Sequence, residues 1–406
     1  MGFRRSKSQR LDRSRVAHRY QLPKCPNTLN MRDAMPDVLL VSKPIAPPWH
    51  DSSKNLVRDL ARHMRRYTPV VMSRARAIVD LPRARIEPIY ADETASPGFA
   101  PALLDNVKVL RRLALGHKTA LWHFFFAPNP RTSNVARWTA RARNARSVQT
   151  VCSAPAAHVD VASVLFAERV VVLSEHTRQR FLTAGVSAQR VVLIRPAITP
   201  LTPATPERVK ALRTELGLHT DRPLVVYAGD LEFGRGADLA LEAHCDLPSS
   251  LDAELVLACR EKTARAQARA RELRERAAQL GIAERVRFMG ETPRIHDLLA
   301  SADLVTMPTE TLYAKMDLPL VLLEAMTLER CVLVGAGTPA EELAAEGGAV
   351  KVVTQREAVS EVTRRLLEDS TQRAQLGALA RQVVVRDYAP EQMAASYEAL
   401  YDELCA

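Results

Sequence analysis

The chain has 406 residues, 47% of them hydrophobic and 25% charged, the composition of a soluble globular protein with enough length for two cores. No apolar run approaches the roughly 20 residues of a spanning helix, so a membrane-crossing segment is excluded. Net charge is +11, but residues 1–34 alone hold nine Lys or Arg against two Asp, leaving +4 for the other 372. So mildly basic a body predicts no nucleic-acid partner.

Residues 1–34 lack hydrophobic periodicity and have the composition of a disordered basic tail. They contain no apolar stretch of the kind a secretory signal needs. Met31 and Met35 stand just before the first strand, so the tail is either an overlong start or a basic arm for anionic lipid or acidic partners. The six cysteines show no metal-ligand spacing, and three lie in or beside apolar strands. That pattern predicts buried thiols in a reducing, cytoplasmic compartment.

From Asp37 onward strands and helices alternate. An unbroken apolar run predicts a buried strand at 37–42, and further short strands are expected around Val70 and at 86–90, 120–124, 148–152, 169–173 and 191–194. Helices are expected at 52–66, 102–115, 132–143 and 175–184, the last capped by Ser174. A proline-rich connection with a short helix at 206–215 leads to a second series of strands at 224–228, 255–259, 286–289, 303–307, 332–334 and 349–353. Helices at 355–368, 370–384 and 390–404 close the chain. The pattern is α/β, with parallel sheets covered by helices on both faces. The expected domains are 35–198 and 223–388, joined by a linker at 199–222, with a C-terminal helix at 389–406.

Several segments carry residues suited to chemistry. In Leu312–Met326, a loop with Lys315 and Asp317 runs to Pro319, where a helix starts with Leu320 and Val321. Proline is tolerated in a first turn, and free first-turn amides make an anion site. Glu324 then lies where a carboxylate can accept hydrogen bonds from a ligand's hydroxyls. The turn 227–238 holds Gly229, Gly234 and Gly236, which permit close backbone approach, and Arg235, suited to clamping phosphate. Arg260 and Lys262 follow the next strand, and Gly290 opens a loop after the one beyond. In the first half, His123 ends a strand and is either a core histidine or one aimed at a ligand. Asn129, Arg131, Ser133 and Asn134 follow it as candidates for an acceptor pocket. Helix 53–66 sets Lys54, Arg58, Arg62, Arg65 and Arg66 around an apolar stripe, either a solvated face or a peripheral contact with anionic membrane. No Asp-x-Asp triplet, zinc spacing, serine nucleophile elbow or phosphate loop occurs, so neither metal nor cofactor is expected.

The segment 312–326 resembles the donor-binding signature of glycosyltransferase family 4, retaining enzymes built from two facing Rossmann-like domains, the GT-B fold. The resemblance covers residues 36–404 and is strongest from 168. Glu324 matches the second glutamate of the signature. Met316 stands at the first and Pro319 at the glycine, with Asp317 one residue on to supply the missing carboxylate. Gly229 and Gly236 match the family's glycine-rich turn, Arg235 replaces its lysine, and Asp230 occupies the place of an arginine. Lys315, backed by Arg260 and Lys262, is the candidate replacement cation. The resemblance implies that Gly290 lies by the nucleotide base and that His123 and Asp317 act on the donor sugar, although Phe125 replaces a second histidine. It implies a nucleotide sugar as donor, an unidentified acceptor entering from the first domain, and a final helix crossing back to that domain. A non-catalytic sugar-nucleotide binder or an epimerase of the same fold are the alternatives.

Overall fold

The computed structural model describes residues 35–92, 103–126, 129–156, 158–261, 263–345 and 347–406. Met35–Ala406 form one compact unit. The basic tail 1–34 and Lys262 lie outside the described residues, and so does Cys25.

The first half is a seven-stranded sheet, all of whose pairs are parallel, in the order β3-β2-β1-β4-β5-β6-β7. Its strands are β1 (Asp37–Val41), β2 (Thr68–Arg74), β3 (Arg85–Tyr90), β4 (Leu121–Phe125), β5 (Ser147–Val151), β6 (Arg169–Val172) and β7 (Val191–Leu193). They are interleaved with α1 (Ser52–His63), α2 (Leu103–Leu115), α3 (Pro130–Ala142), α4 (Val161–Val164) and α5 (Glu175–Thr183). Helices on both faces explain why β1 and β4 read as nearly continuous apolar runs, and why β5 is buried throughout although Ser147, Gln149 and Thr150 are polar. Ser174 does cap α5, accepting the Thr177 amide at 3.1 Å.

The connection carries α6 (Pro206–Glu215). The second half is a six-stranded parallel sheet in the order β10-β9-β8-β11-β12-β13. Its strands are β8 (Leu224–Tyr227), β9 (Glu254–Leu257), β10 (Val286–Phe288), β11 (Leu304–Met307), β12 (Cys331–Gly335) and β13 (Val350–Val352). Around them lie α7 (Gly236–Cys245), α8 (Ala264–Gln279), α9 (Ile295–Ser301), α10 (Leu320–Thr327), α11 (Glu342–Ala345), α12 (Arg356–Glu368) and α13 (Ser370–Asp387). Strand order reverses between β8 and β11, so the turn after β8 and the loop after β11 meet at the place where α/β sheets bind ligands.

The last helix, α14 (Pro390–Cys405), packs on α1 in the first half. Buried Glu398 accepts the Arg65 and Arg66 amides at 2.7 and 2.6 Å, and the Tyr67 hydroxyl donates to Asp402 at 2.8 Å. This explains why α1 stops at His63 rather than at 66. The amides that would continue the helix are held by a carboxylate from the other end of the chain. Cys152, Cys259 and Cys331 are buried free thiols. Among the described residues no helix is long and apolar enough to cross a membrane.

Candidate functional site

A cavity of about 530 Å³ opens between the halves. Trp49, His50, Ser52, Asn55 and Arg58 line it from the first half, through the start of α1 and the loop before it. From the second half come the turn after β8 (Gly229, Asp230), Arg260 after β9, Gly290 to Pro293 with Ile295 and His296, and Lys315, Met316, Leu320, Val321 and Glu324. Of the expected site residues, Glu324, Lys315, Gly229, Leu320, Val321, Arg260 and Gly290 are therefore brought together around one cavity.

Helix α10 supplies one wall. Pro319 occupies its N-cap without a capping side chain, which leaves first-turn amides for a ligand and the positive end of the helix dipole beside the cavity. Glu324 lies 3.4 Å from Nε2 of His296, and this carboxylate raises the histidine's pKa above the usual imidazole value. Lys315 Nζ is 3.5 Å from Asp230, whose Oδ2 accepts the Glu232 and Phe233 amides at 2.7 Å each. Asp230 thus organises the glycine-rich turn, and Lys315 offsets its charge. Tyr227, under the same turn, donates its hydroxyl to the Asp230 carbonyl at 2.9 Å. His50 reaches across the halves to Glu291 at 2.6 Å, and Arg260 lies 3.9 Å from the same oxygen. The cavity's cations are thus matched by carboxylates that an incoming anion would displace or share.

Residues 209–383 match the family model of glycosyl transferases, group 1. The matched span contains every second-half residue of the cavity named above. The chain is 28% identical over 246 residues to a GDP-mannose-dependent monoacylated α-(1-6)-phosphatidylinositol monomannoside mannosyltransferase of Corynebacterium glutamicum, covering 54% of this chain and 58% of that one. It is 27% identical over 214 residues to a D-inositol 3-phosphate glycosyltransferase of Xylanimonas cellulosilytica, covering 48% of each. The chain thus spans about half the length of the curated relatives it matches. Among solved structures, Anabaena HepE in complex with UDP-glucose superposes with a TM-score of 0.71 at 16% identity, over 90% of this chain and 99% of that one. Sucrose-phosphate synthase from Thermosynechococcus elongatus superposes with a TM-score of 0.70 at 19% identity, over 91% and 99%. The fold is GT-B.

Other expected site residues lie elsewhere. His123 is fully buried, its Nδ1 2.6 Å from the Tyr401 hydroxyl and its Nε2 2.7 Å from Thr150 Oγ1. Burial holds its pKa well below the imidazole range. Both nitrogens are occupied in the core, so the structure corrects its assignment to the donor sugar. Asp317 is 1% exposed and points into the first half. Its Oδ2 accepts from Ser174 Oγ at 3.0 Å, and its amide donates to the Cys152 carbonyl at 3.3 Å. Burial pushes its carboxyl up to about 6. It is a tie between the halves, not a sugar ligand. Met316, its neighbour, is the residue that lines the cavity.

Arg235 is likewise outside the cavity lining. It is held by Glu310, which accepts its amide at 3.0 Å, and its guanidinium lies 3.6 Å from Glu242. Gly236 serves packing, since a Cβ there would meet the Tyr227 hydroxyl at 2.8 Å. Asn129 caps α3 and Ser133 is buried, and neither lines the cavity. Two basic residues of α1 are also occupied, Lys54 and Arg58 standing over the Trp49 ring at 5.6 and 5.0 Å, and beyond the helix Arg66 pairs with Asp402. Sequence reasoning missed His296 and Arg58 as cavity residues. The one available signal for His296 was its place just after the Gly290 loop.

Proposed function

We propose that the chain is a retaining, metal-independent glycosyltransferase that moves a sugar from a nucleotide-diphosphate sugar to an acceptor. The observation behind this reading is that an uncapped helix N-terminus, Lys315 and Arg260 converge with Glu324 on one cavity between two Rossmann-like halves. The α10 amides and Lys315 hold the diphosphate, and Glu324 accepts from the ribose hydroxyls. As the bond between the sugar's anomeric carbon and the diphosphate oxygen breaks, its electron pair stays on the diphosphate, an acceptor hydroxyl oxygen bonds the same face of that carbon, and the hydroxyl's proton passes to the departing diphosphate. Fixed amides and cations in a poorly hydrated cleft stabilise that growing charge without reorganising. The acceptor, a cell-envelope glycan, lipid or small metabolite, enters past Trp49 and Arg58. The reading sets this chemistry in the cytoplasm or at the inner face of the plasma membrane.

The family match over 209–383, the GDP-mannose dependence named for one relative and the UDP-glucose bound to HepE support this reading. One observation favours a second reading, a protein that binds a sugar nucleotide without transferring it. Met316 lines the cavity at the position of the family's first glutamate, so the sugar lacks that carboxylate. Calorimetric titration with UDP-glucose, GDP-mannose and the bare diphosphates, followed by NMR detection of sugar release, separates the two. Binding lost in Glu324→Ala together with slow donor hydrolysis supports transfer. Binding without turnover for any donor or acceptor supports the second reading, and no nucleotide binding overturns both.

A further inference from the structure

A second cavity, of about 550 Å³, opens at the far end of the first sheet. The cleft is built from segments that follow strands, whereas this cavity is built from segments that precede them. Ser147 opens β5, Glu168 stands just before β6, and Arg190 just before β7. The strands of this sheet run parallel, so the two openings lie at opposite ends of it. The last turns of α3 close one side with Arg137 and Arg141, and Leu165 and Phe166 give an apolar wall. The size is that of a small-molecule pocket.

Three guanidinium groups line this cavity, and among the described residues none pairs with a carboxylate. Arg137 donates to Asn134 Oδ1 at 3.0 Å and to the Ser163 carbonyl at 2.9 Å. Arg190 is fixed through Nε, which donates to the Ala167 carbonyl at 2.9 Å, and its two terminal nitrogens have no partner among the described residues. The exposed Arg141 guanidinium has none among them either. Burial, and then the neighbouring Arg137, push the pKa of Arg190 down, as befits like charges held together without an anion between them. The carbonyl end of α3 accounts for a cation such as Arg141, but Arg190 belongs to the connection before β7 and is no part of that helix. Glu168, the lining carboxylate, is neutralised by Arg146 at 3.1 Å and takes the Ser147 amide on its other oxygen, also at 3.1 Å. Each of its oxygens therefore keeps a lone pair for a hydroxyl.

We propose that this cavity binds a soluble phosphate monoester that carries hydroxyl groups, a sugar or polyol phosphate. The terminal nitrogens of Arg190 and the guanidinium of Arg141 take the phosphate oxygens, for which planar forks are suited. Arg137, engaged with Asn134 and Ser163, adds charge behind them. Glu168 accepts from the hydroxyls, and the carbon skeleton lies against Leu165 and Phe166. A bound dianion offsets the repulsion between Arg137 and Arg190, so charge that costs free energy on its own becomes a source of affinity. The site is separate from the nucleotide cleft and does not depend on what the cleft binds.

Calorimetric titration of the full chain with glucose 6-phosphate, inorganic phosphate and glucose tests this. Glucose 6-phosphate is expected to bind, inorganic phosphate more weakly and glucose not at all, with affinity falling as salt is raised. Arg141→Gln should weaken glucose 6-phosphate binding at least about tenfold, and its melting temperature should stay unchanged because the exposed side chain holds nothing in place. Arg190→Gln should weaken it as much; if losing the bond to Ala167 unfolds the chain, Arg141→Gln decides alone. Lys315→Met, in the cleft, should leave this affinity as it is. Unchanged affinity in Arg141→Gln overturns the proposal, as does an equal loss in Lys315→Met, which would put the ester in the cleft. Inorganic phosphate binding as tightly as the ester also overturns it, marking a plain anion site. So does a failure to bind the soluble ester, whether or not the chain then binds phosphatidylglycerol vesicles, where the phosphate is a lipid headgroup.

Discussion

Asp317 ties the second half to the first with a carboxyl that burial raises from its ordinary 3.8 to about 6. The folded protein therefore holds this proton more tightly than the unfolded chain does. The resulting stabilisation is complete below about pH 3.8 and is lost as pH rises through about 6. At 1.36 kcal/mol per pH unit, the difference comes to about 3 kcal/mol. Asp317→Asn removes the titration while keeping an oxygen to accept from Ser174. It also turns one of the oxygens, which accept from Thr177, Ser174 and the Ala154 amide, into a donor, a cost that does not vary with pH. Urea unfolding of wild type and variant, followed by tryptophan fluorescence from about pH 4 to about pH 8, reads the effect. The wild type should lose about 3 kcal/mol relative to the variant across that range. Parallel stability profiles would refute the buried tie.

Lys315→Met should weaken nucleotide-diphosphate binding by about 2 kcal/mol and leave nucleoside binding unchanged, as read by calorimetry; equal losses for both ligands would mean a damaged loop instead. His123→Phe leaves the buried Tyr401 hydroxyl without its partner, so it should lower stability by about 1–3 kcal/mol without changing nucleotide affinity, and a selective loss of turnover in a fully stable variant would return His123 to the chemistry. Deleting residues 1–34 should leave the melting temperature unchanged, since that segment brings no apolar periodicity to a core.

The sheets were legible because strands buried on both faces cannot alternate polar with apolar residues, so β1, β8 and β11 announce themselves. The α10 wall was legible because proline at a helix start and a carboxylate about one turn later are local facts. What failed was orientation set at long range. His123 stands at a strand end, as a ligand residue would, but the partner that claims it is Tyr401, 278 positions away. Asp317 lies in a loop beside the cleft, and only the arrival of Ser174 from the other half decides where its carboxylate goes. Arg235 looked like a phosphate clamp until Glu310 and Glu242 were placed beside it.

Helix α14 also bears on how the protein is made. The first half leaves the ribosome early, but His123, Thr150 and Tyr67 each also hydrogen-bond a residue of α14, namely Tyr401, Tyr397 and Asp402. That half cannot finish its core until α14 has been made. Nonsense mutations that cost the protein α14 (Pro390–Cys405) would therefore leave the second sheet whole and injure the part of the molecule synthesised first.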